Sequence, residues 1–357
     1  MEMDREMGKS ANLYKRYGLE YNGYLFIALT VLLGYLLILF AGFKPIGFDP
    51  DSANYVKLLQ TDPANFDLNK VEPLNCLIVF INQKFFNTSA ESFFLIYGFL
   101  YVSLSLVAIK RYSIKPIFSL IVFILLFFPN FGLIQIRQGI SIAIFLLAIG
   151  DIVNRNAYKF MLKIAIAILF HYSAVVFLVF YFIVWPRLTL VQGLILPLLC
   201  LLVGEFLLTY NFYITLSEFL PGAFGWKMTM YLELMAHADK TDGSIHNINP
   251  FNMYSLFMWL LVILSTFLNK SDLRGHFNIL LNILFGGLLF WFLFITVPVF
   301  SFRIFVTLSS VSILLIPYIL EKIYPQFLSI TLFFIAILIL SVNVYLLGGL
   351  FYFSLLL

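Results

Sequence analysis

The sequence predicts an all-α, polytopic membrane protein that forms a single integral-membrane domain over residues 1–357. Two observations predict this class. Hydrophobic residues make up 62% of the chain and charged residues only 11%, whereas about a quarter of a soluble domain is charged. Apolar runs long enough to cross a bilayer also recur along the whole chain. No basic stretch is interleaved with exposed aromatic residues, so no nucleic-acid partner is expected.

About eleven apolar segments are expected to span the membrane, within a range of about nine to thirteen. They lie near residues 22–42, 91–109, 116–129, 134–152, 158–170, 172–186, 189–209, 251–268, 277–298, 302–320 and 326–347. The stretch 158–186 is either one long helix or two short ones broken at "FHYS". The positive-inside rule favours two, because a single span would move Lys270, Arg274 and Lys322 to the outer face.

This topology, with a cytoplasmic N-terminus, creates two outer loops. The first covers 43–90 and includes an apolar piece at 72–87, which is too short to span and is expected to be re-entrant or interfacial. The second covers 210–250. Both loops are acidic, with aromatic and amide residues among the charges. Neither is long enough for a soluble domain, so any chemistry is expected at the outer surface of the membrane.

Arg137 lies within the apolar stretch "FGLIQIRQGISIAIFLLAIG", in the first turn of its predicted helix and beside Gln138. An arginine at the bilayer centre costs about 2.5–3.5 kcal/mol on insertion scales, so its presence needs a reason. One interpretation is an anion-binding group that lines a water-accessible cavity. The alternative is an arginine that extends from a helix end to the interface.

His171 lies in "LFHYSA", at the expected break on the outer face and therefore at about the depth of Arg137. Tyr172 and Ser173 add hydroxyl groups beside it. The histidine could act as a general base, or donate to a phosphate or a sugar. The structural alternative is a hydrogen bond that caps or joins helices.

Arg303 lies in "VPVFSFRIFV", which the sequence places in a very short outer connection between two spanning helices. Ionisable residues at membrane depth usually mark substrate paths. Two arginines at one level suit a diphosphate, because planar guanidinium groups match phosphate oxygens. The alternative is a set of independent interface anchors.

The first outer loop supplies carboxylates. "FDPDSANY" contains Asp49 and Asp51, followed by Tyr55, and "VEPLN" contains Glu72. Such carboxylates bind a divalent cation or deprotonate a sugar hydroxyl, or they belong to a solvated loop with Asx turns. A divalent cation at Asp49 and Asp51 is an open alternative that is not favoured. No other metal site and no nucleotide or cofactor motif is found.

Several pieces of sequence together resemble the EpsG-like branch of the Wzy polysaccharide polymerases. They are "IRQGISIAIFLLAI", "LFHYSA" further along, a late "SFR", and an early "DPDSANY" followed by "EP". The likeness covers residues 48–305, and the spacing of "RQG" and "FHYSA" is its most specific part. The second outer loop has no counterpart, as expected of a loop that recognises one particular sugar repeat.

The resemblance implies a GT-C-like glycosyltransferase of the bacterial inner membrane, with its active site at the periplasmic face. Its substrates would be oligosaccharide repeat units linked to undecaprenyl diphosphate, which departs when the growing chain joins the next unit. The lipid bilayer and a protein that regulates chain length would be its partners. No cofactor is expected.

The candidate site residues fit this reaction. Arg137 and Arg303 would stabilise the charge that develops on the leaving diphosphate. His171 is the first candidate for the base, Asp51 the second and Glu72 the third. Further substrate contacts are assigned to Gln138, Tyr172, Ser173, Asp49 and Tyr55.

Two other functions are open at this point. A flippase or transporter of lipid-linked oligosaccharide would also hold a diphosphate with cations. Against it, the chain shows no internal repeat and its charges lie on one side. A membrane O-acyltransferase would use an intramembrane histidine, but it gives no reason for two outer arginines.

Overall fold

The computed structural model describes residues 27–49, 51–68, 70–182, 187–208, 210–220, 222–238, 249–268, 275–323 and 326–345. The regular secondary structure of these residues is helical, without strands, which confirms the all-α polytopic class. Within them, α4, α6, α9 and α13, as bounded below, are long and apolar enough to span a membrane, and α14 with α15 forms a bent fifth candidate. The count of about eleven spans stays a prediction.

The helices are numbered in chain order. They are α1 (Ile27–Gly42), α2 (Ser52–Gln60), α3 (Pro73–Phe85), α4 (Ala90–Tyr112), α5 (Pro116–Val122), α6 (Ile136–Val153), α7 (Ala157–Phe170), α8 (Val179–Phe182), α9 (Leu190–Leu207), α10 (Tyr210–Phe219), α11 (Gly222–Ala238), α12 (Met253–Leu268), α13 (His276–Leu293), α14 (Pro298–Ser309), α15 (Ser312–Lys322) and α16 (Gln326–Tyr345). Short 3-10 helices cover Pro63–Asn65 and Tyr172–Leu178, and π-helical stretches cover Phe123–Phe127 and Pro129–Ile134. Helices α6, α13 and α14 are buried along most of their length, so they form the centre of the bundle.

The predicted first outer loop contains an amphipathic helix. In α3, Ile78 and Val79 are buried, whereas Leu77 and Phe80 are about half exposed. The helix has 13 residues, fewer than the roughly 20 that cross a hydrocarbon core. Its re-entrant or interfacial position stays a prediction.

The chain between α4 and α6 differs from the expected pair of helices joined by a "PNFG" connection. Here α5 continues into the two π-helical stretches, so this segment is wound and buried as well. The N–H of Gln135 donates to the carbonyl of Asn130 at 2.7 Å and closes the last turn. Helix α6 then begins at Ile136, which places Arg137 in its first turn, as the sequence predicts.

Gly139 lies where α6 contacts the second π-helical stretch. A Cβ added here would lie 2.3 Å from the carbonyl oxygen of Phe131, which is backbone and cannot move aside easily. We expect Gly139→Ala to destabilise the protein by about 1–3 kcal/mol through overpacking, measured as a lower unfolding temperature in detergent. Gly193→Ala in α9 is the control, because a Cβ there meets nothing nearer than 3.6 Å. Equal losses in the two variants would contradict this explanation.

Two prolines inside helices each deprive one backbone carbonyl of its helical donor. The carbonyl four residues before Pro197 of α9 accepts instead from Trp259 Nε1 at 2.8 Å. The carbonyl four residues before Pro317 of α15 accepts from the Ser119 hydroxyl at 2.6 Å. Because an unsatisfied carbonyl is costly within a bilayer, side chains of neighbouring helices make these prolines tolerable.

The chain reverses direction at His171, which follows α7 in an extended conformation (φ −156°, ψ 117°). Phe160, near the start of α7, stacks on Tyr181 of α8 with 5.0 Å between ring centroids. Arg155, just before α7, donates from Nη1 to the carbonyl of Tyr181 at 3.1 Å. The two segments are therefore antiparallel, as the two-segment interpretation of 158–186 requires.

The predicted second outer loop is helical where the structure describes it. Helices α10 and α11 pack on the chain before and within the start of α14 through a small apolar cluster, separate from the main core. Its buried members are Tyr213, Met228, Tyr231, Leu232, Val297 and Val299. The remainder of this predicted loop, 239–248, lies outside the described residues.

The segment expected to span at 302–320 is bent and consists of two helices. Helix α14 ends at Ser309 and α15 begins at Ser312, with a bend of 54° between them. Helix α14 also begins earlier than predicted, at Pro298. Arg303 is therefore within the second turn of a helix and not in a connection, which corrects the prediction for this residue.

Candidate functional site

Glu72 is the centre of the candidate site, and its side chain is 0% exposed. Its Oε2 accepts from Arg137 Nη1 at 2.7 Å and from Asn75 Nδ2 at 3.0 Å. Its Oε1 lies 2.9 Å from Nδ1 of His171. A buried carboxylate is tolerated when it is paired and hydrogen-bonded. These partners bring together the starts of α3 and α6 and the end of α7.

The local sequence explains the position of Glu72. It directly precedes Pro73, the first residue of α3, where a missing N–H costs nothing. The carbonyl of Glu72 accepts from the N–H groups of Asn75 and Cys76 at 3.0 and 3.2 Å. The "VEPLN" motif thus starts a helix and at the same time turns the carboxylate towards α6 and α7.

Asp49 and Asp51, a pair in the sequence, have different surroundings. Asp49 is buried, with Oδ2 in an ion pair with Lys44 Nζ at 2.7 Å. Its Oδ1 accepts from the N–H groups of Asp51 and Ser52 at 3.0 and 2.9 Å. Lys44 also donates to the carbonyl of Leu133 in the second π-helical stretch. Asp49 thus holds the loop against the bundle, which fits a structural role better than the predicted substrate or cation contact.

Asp51 precedes α2 and is partly exposed, and no described side chain hydrogen-bonds its carboxylate. Burial raises the pKa of this carboxyl above that of an ordinary aspartate, while the charges of Arg303 and Arg137 lower it and that of Asp49 raises it. The charges of both arginines, which come from distant parts of the chain, therefore act on this carboxyl. Within the described residues, no three His, Cys, Asp or Glu side chains group as metal ligands.

Tyr55 is buried one turn along α2. The guanidinium carbon of Arg137 lies 5.6 Å from the centroid of its ring, which is a cation–π distance. Burial raises the pKa of the Tyr55 phenol, so this group is a neutral hydroxyl at physiological pH. Arg137 Nε is buried and has no hydrogen-bond partner among the described residues.

Arg303 projects from α14 and is partly exposed. Its Nη1 donates to the hydroxyl of Tyr231 in α11 at 3.0 Å, and its guanidinium carbon lies 5.8 Å from the centroid of that ring. No carboxylate of the described residues lies within ion-pair distance of Arg303. Arg303 is thus held by a neutral group, whereas Arg137 is held by an anion.

Gln138 connects the helices that carry the two arginines. It is buried in α6 and its Nε2 donates to the hydroxyl of Thr307 in α14. Thr307 in turn donates to the carbonyl of Arg303 at 2.6 Å. This contact sets α6 against α14, and the predicted substrate contact of Gln138 stays a prediction.

Tyr172 and Ser173 directly follow His171 in the chain, at the start of a 3-10 helix. The Tyr172 hydroxyl donates to the carbonyl of Leu68 in the first outer loop. Ser173 Oγ is buried and has no hydrogen-bond partner among the described residues. Their predicted substrate contacts stay predictions.

The structure adds residues that sequence reasoning did not select. Asn75 follows Glu72 by three residues, a spacing that puts both on one helix face, and this signal was available in the sequence. Tyr97 of α4 donates to Asn75 Oδ1 at 2.6 Å, and nothing in the sequence distinguishes it from the other tyrosines. Lys44 and Tyr231 also gain roles only through contacts between distant segments.

Comparison with known proteins identifies the family of this chain. Residues 27–350, most of the chain, match the EpsG family, whose members are Wzy-like polysaccharide polymerases. No curated protein and no solved structure matches the chain. The matched region contains Glu72 with its partners Asn75, Arg137 and His171, and also Asp51 and Arg303. The chain therefore belongs to the EpsG family, as a multi-pass membrane protein with an activity of the polysaccharide-polymerase type.

Proposed function

We propose that this protein is a membrane glycosyltransferase that polymerises oligosaccharide repeat units linked to undecaprenyl diphosphate. The observation that carries the proposal is the placing of Arg137 and Arg303 on helices that the Gln138–Thr307 hydrogen bond joins. Arg137 also packs on Tyr55 of α2, the helix that Asp51 precedes. Two cations from different helices, held around one partly exposed polar region, suit a dianionic group such as a diphosphate. The GT-C-like architecture, without a nucleotide-sugar domain, belongs to the same proposal.

The two arginines have separable roles in this reaction. Negative charge develops on the diphosphate oxygens as the glycosidic bond to the lipid breaks, and preorganised donors stabilise it. Arg303 has no competing carboxylate among the described residues within ion-pair distance, so it is the stronger anion ligand of the two. Arg137 is oriented by Glu72, and its side chain is 26% exposed, so a substrate can reach it.

Asp51 is the base that the geometry supports best, ahead of His171. Its carboxylate accepts no hydrogen bond from a described side chain, and burial raises its pKa, which improves a carboxylate as a base near neutral pH. Nδ1 of His171 is engaged by Glu72, so His171 is assigned to orienting the acceptor sugar. Glu72, bonded to Arg137, Asn75 and His171, acts through Arg137 and His171.

The site faces the periplasm in this proposal, in the bacterial inner membrane. The support is the positive-inside pattern, which places most Lys and Arg residues on the opposite side. The reversal of the chain at His171 determines on which side of the membrane all later loops lie in this topology. The polyprenyl tail would lie against lipid-exposed helix faces, and a chain-length regulator would bind outside the site.

The test is polymerisation by the purified chain in lipid nanodiscs. Undecaprenyl-diphosphate-linked repeat units, extracted from the native host lacking this gene, are added without ATP or nucleotide sugar. A ladder of products on a gel is expected. If the substrate binds unchanged, and the chain moves it across the membrane of lipid vesicles, the protein is a flippase instead. In cells, gene loss should leave single-repeat products, whereas unchanged polymer length with lost acyl groups would indicate an acyltransferase.

Asp51 and Asp49 are expected to respond differently to the same substitution. Asp51→Asn should abolish ladder formation while leaving the unfolding temperature near the wild-type value. The wild-type rate should rise with pH through a pKa above about 3.9, the ordinary aspartate value, because burial raises the pKa of the Asp51 carboxyl. Asp49→Asn should lower the unfolding temperature, because it removes the partner of buried Lys44. Retained ladders in Asp51→Asn would transfer the base role to His171.

A further inference from the structure

Asn75 has a hydrogen-bonding environment that the proposed chemistry does not itself use. It lies in the first turn of α3 and is 0% exposed. Its Nδ2 donates to Glu72 Oε2 and to the carbonyl of Phe170, both at 3.0 Å. Its Oδ1 accepts from the Tyr97 hydroxyl at 2.6 Å. The carboxylate and the carbonyl both need a donor, so the surroundings determine which way the amide faces.

These bonds reach the site by two routes. The first runs through the Glu72 carboxylate to Arg137 Nη1 and His171 Nδ1. The second runs through the carbonyl of Phe170, the residue directly before His171. Tyr97 anchors the amide from α4. Asn75 therefore links α3, α4 and the end of α7 around one carboxylate.

We propose that Asn75 is a positioning residue that fixes the Glu72 carboxylate, and with it Arg137 and His171, in the geometry that receives the diphosphate. The inference rests on the proposed function. An apolar side chain would fill this buried position without needing three polar partners. What the amide adds is a second donor on Oε2, so that the carboxylate keeps its orientation when Arg137 engages a substrate anion.

The same helix provides a matched control. Asn82 lies two turns further along α3 and is also 0% exposed. Its Nδ2 donates to the carbonyl of Ser89 at 3.1 Å and to the hydroxyl of Ser92 at 2.8 Å. These partners join α3 to the start of α4 and have no contact with Glu72. The two substitutions each remove a buried asparagine whose Nδ2 donates two hydrogen bonds, and only Asn75 contacts the site.

Asn75→Asp provides a readout that a purely structural role would not change. At low pH the introduced carboxyl group is protonated and can still donate to Glu72. At high pH two adjacent carboxylates repel each other and the donor is lost, and the like charge raises the pKa of the pair. The activity of Asn75→Asp relative to wild type should therefore fall as pH rises. The ionisable groups that surround this pair are Tyr55, Cys76, Tyr97, Arg137, His171 and Tyr172. These groups are present in both proteins, so the ratio of the two activities reduces their contribution to the pH dependence.

The experiment measures ladder rate per folded protein and binding of undecaprenyl diphosphate in nanodiscs, from about pH 5.5 to about pH 8.5, which spans the raised pKa expected of the carboxyl pair. Asn75→Leu and, at the upper end, Asn75→Asp should lose about 10–100-fold in rate, by analogy with groups that orient metal ligands. Asn82→Leu should lower only the unfolding temperature.

Equal rates per folded protein in the Asn75 and Asn82 variants would overturn the role of Asn75. A ratio of the Asn75→Asp rate to the wild-type rate that does not change with pH would also overturn it. If Asn75→Leu does not fold, this ratio alone decides the outcome. A wild-type chain that neither binds undecaprenyl diphosphate nor forms ladders would overturn the proposed function, and the role of Asn75 with it. The result for the wild-type chain therefore distinguishes failure of the proposed function from failure of the Asn75 role alone.

Discussion

Arg303→Ala is expected to abolish polymerisation and to leave the fold intact. Removing one preorganised donor to a developing anion typically lowers kcat by about 10²–10³-fold, and Arg303 is the less committed of the two arginines. Because none of the described carboxylates pairs with it, the substitution strands no buried charge. The ladder rate checks the loss of polymerisation, and the unfolding temperature of the same nanodisc preparation checks that the fold is intact.

Two further variants separate charge from geometry at Arg303. Arg303→Lys keeps the charge and loses the planar fork, so an intermediate rate is expected. Tyr231→Phe removes the hydroxyl to which Arg303 donates and keeps the ring below it, so a smaller loss is expected. Normal ladders from Arg303→Ala at wild-type expression would disprove a role for this residue in holding the diphosphate.

Arg137→Ala is expected to lose both activity and stability. Glu72 is 0% exposed and forms an ion pair with Arg137, whose side chain is 26% exposed. Breaking a buried pair from one side typically destabilises by about 3–5 kcal/mol. We expect about 3 kcal/mol here, at the lower end of that range, because Asn75 and His171 still bond the carboxylate. The unfolding temperature in nanodiscs measures the loss.

A double substitution tests this explanation of Arg137→Ala. Adding Glu72→Gln removes the stranded charge, so the unfolding temperature should recover while the ladder stays absent. If Arg137→Ala alone proves as stable as wild type, the carboxylate is not held by Arg137 in the manner described. If the double variant forms ladders, Arg137 acts on folding and not on the substrate.

The class of the protein and several local features follow from the sequence alone. Low charge and recurrent apolar runs determine a helical, multi-pass chain, because a bilayer admits only internally hydrogen-bonded backbone. The position of Arg137 in the first turn of α6 and the reversal at His171 were both predictable from short stretches. Hydropathy and helix-ending signals act over about one helix length, so such features need no tertiary contact.

The arrangement of the site was decided by the tertiary structure. Glu72 meets Arg137 across 65 residues and His171 across 99 residues of sequence, and no local signal selects these partners over other ionisable groups. The same packing engages Asp49 with Lys44 and leaves Asp51 without a hydrogen-bonding side chain among the described residues. It also makes helices of the predicted second loop and places Tyr231 against Arg303. Apolar helix faces attract without direction, so which charges meet is known only once the helices have packed.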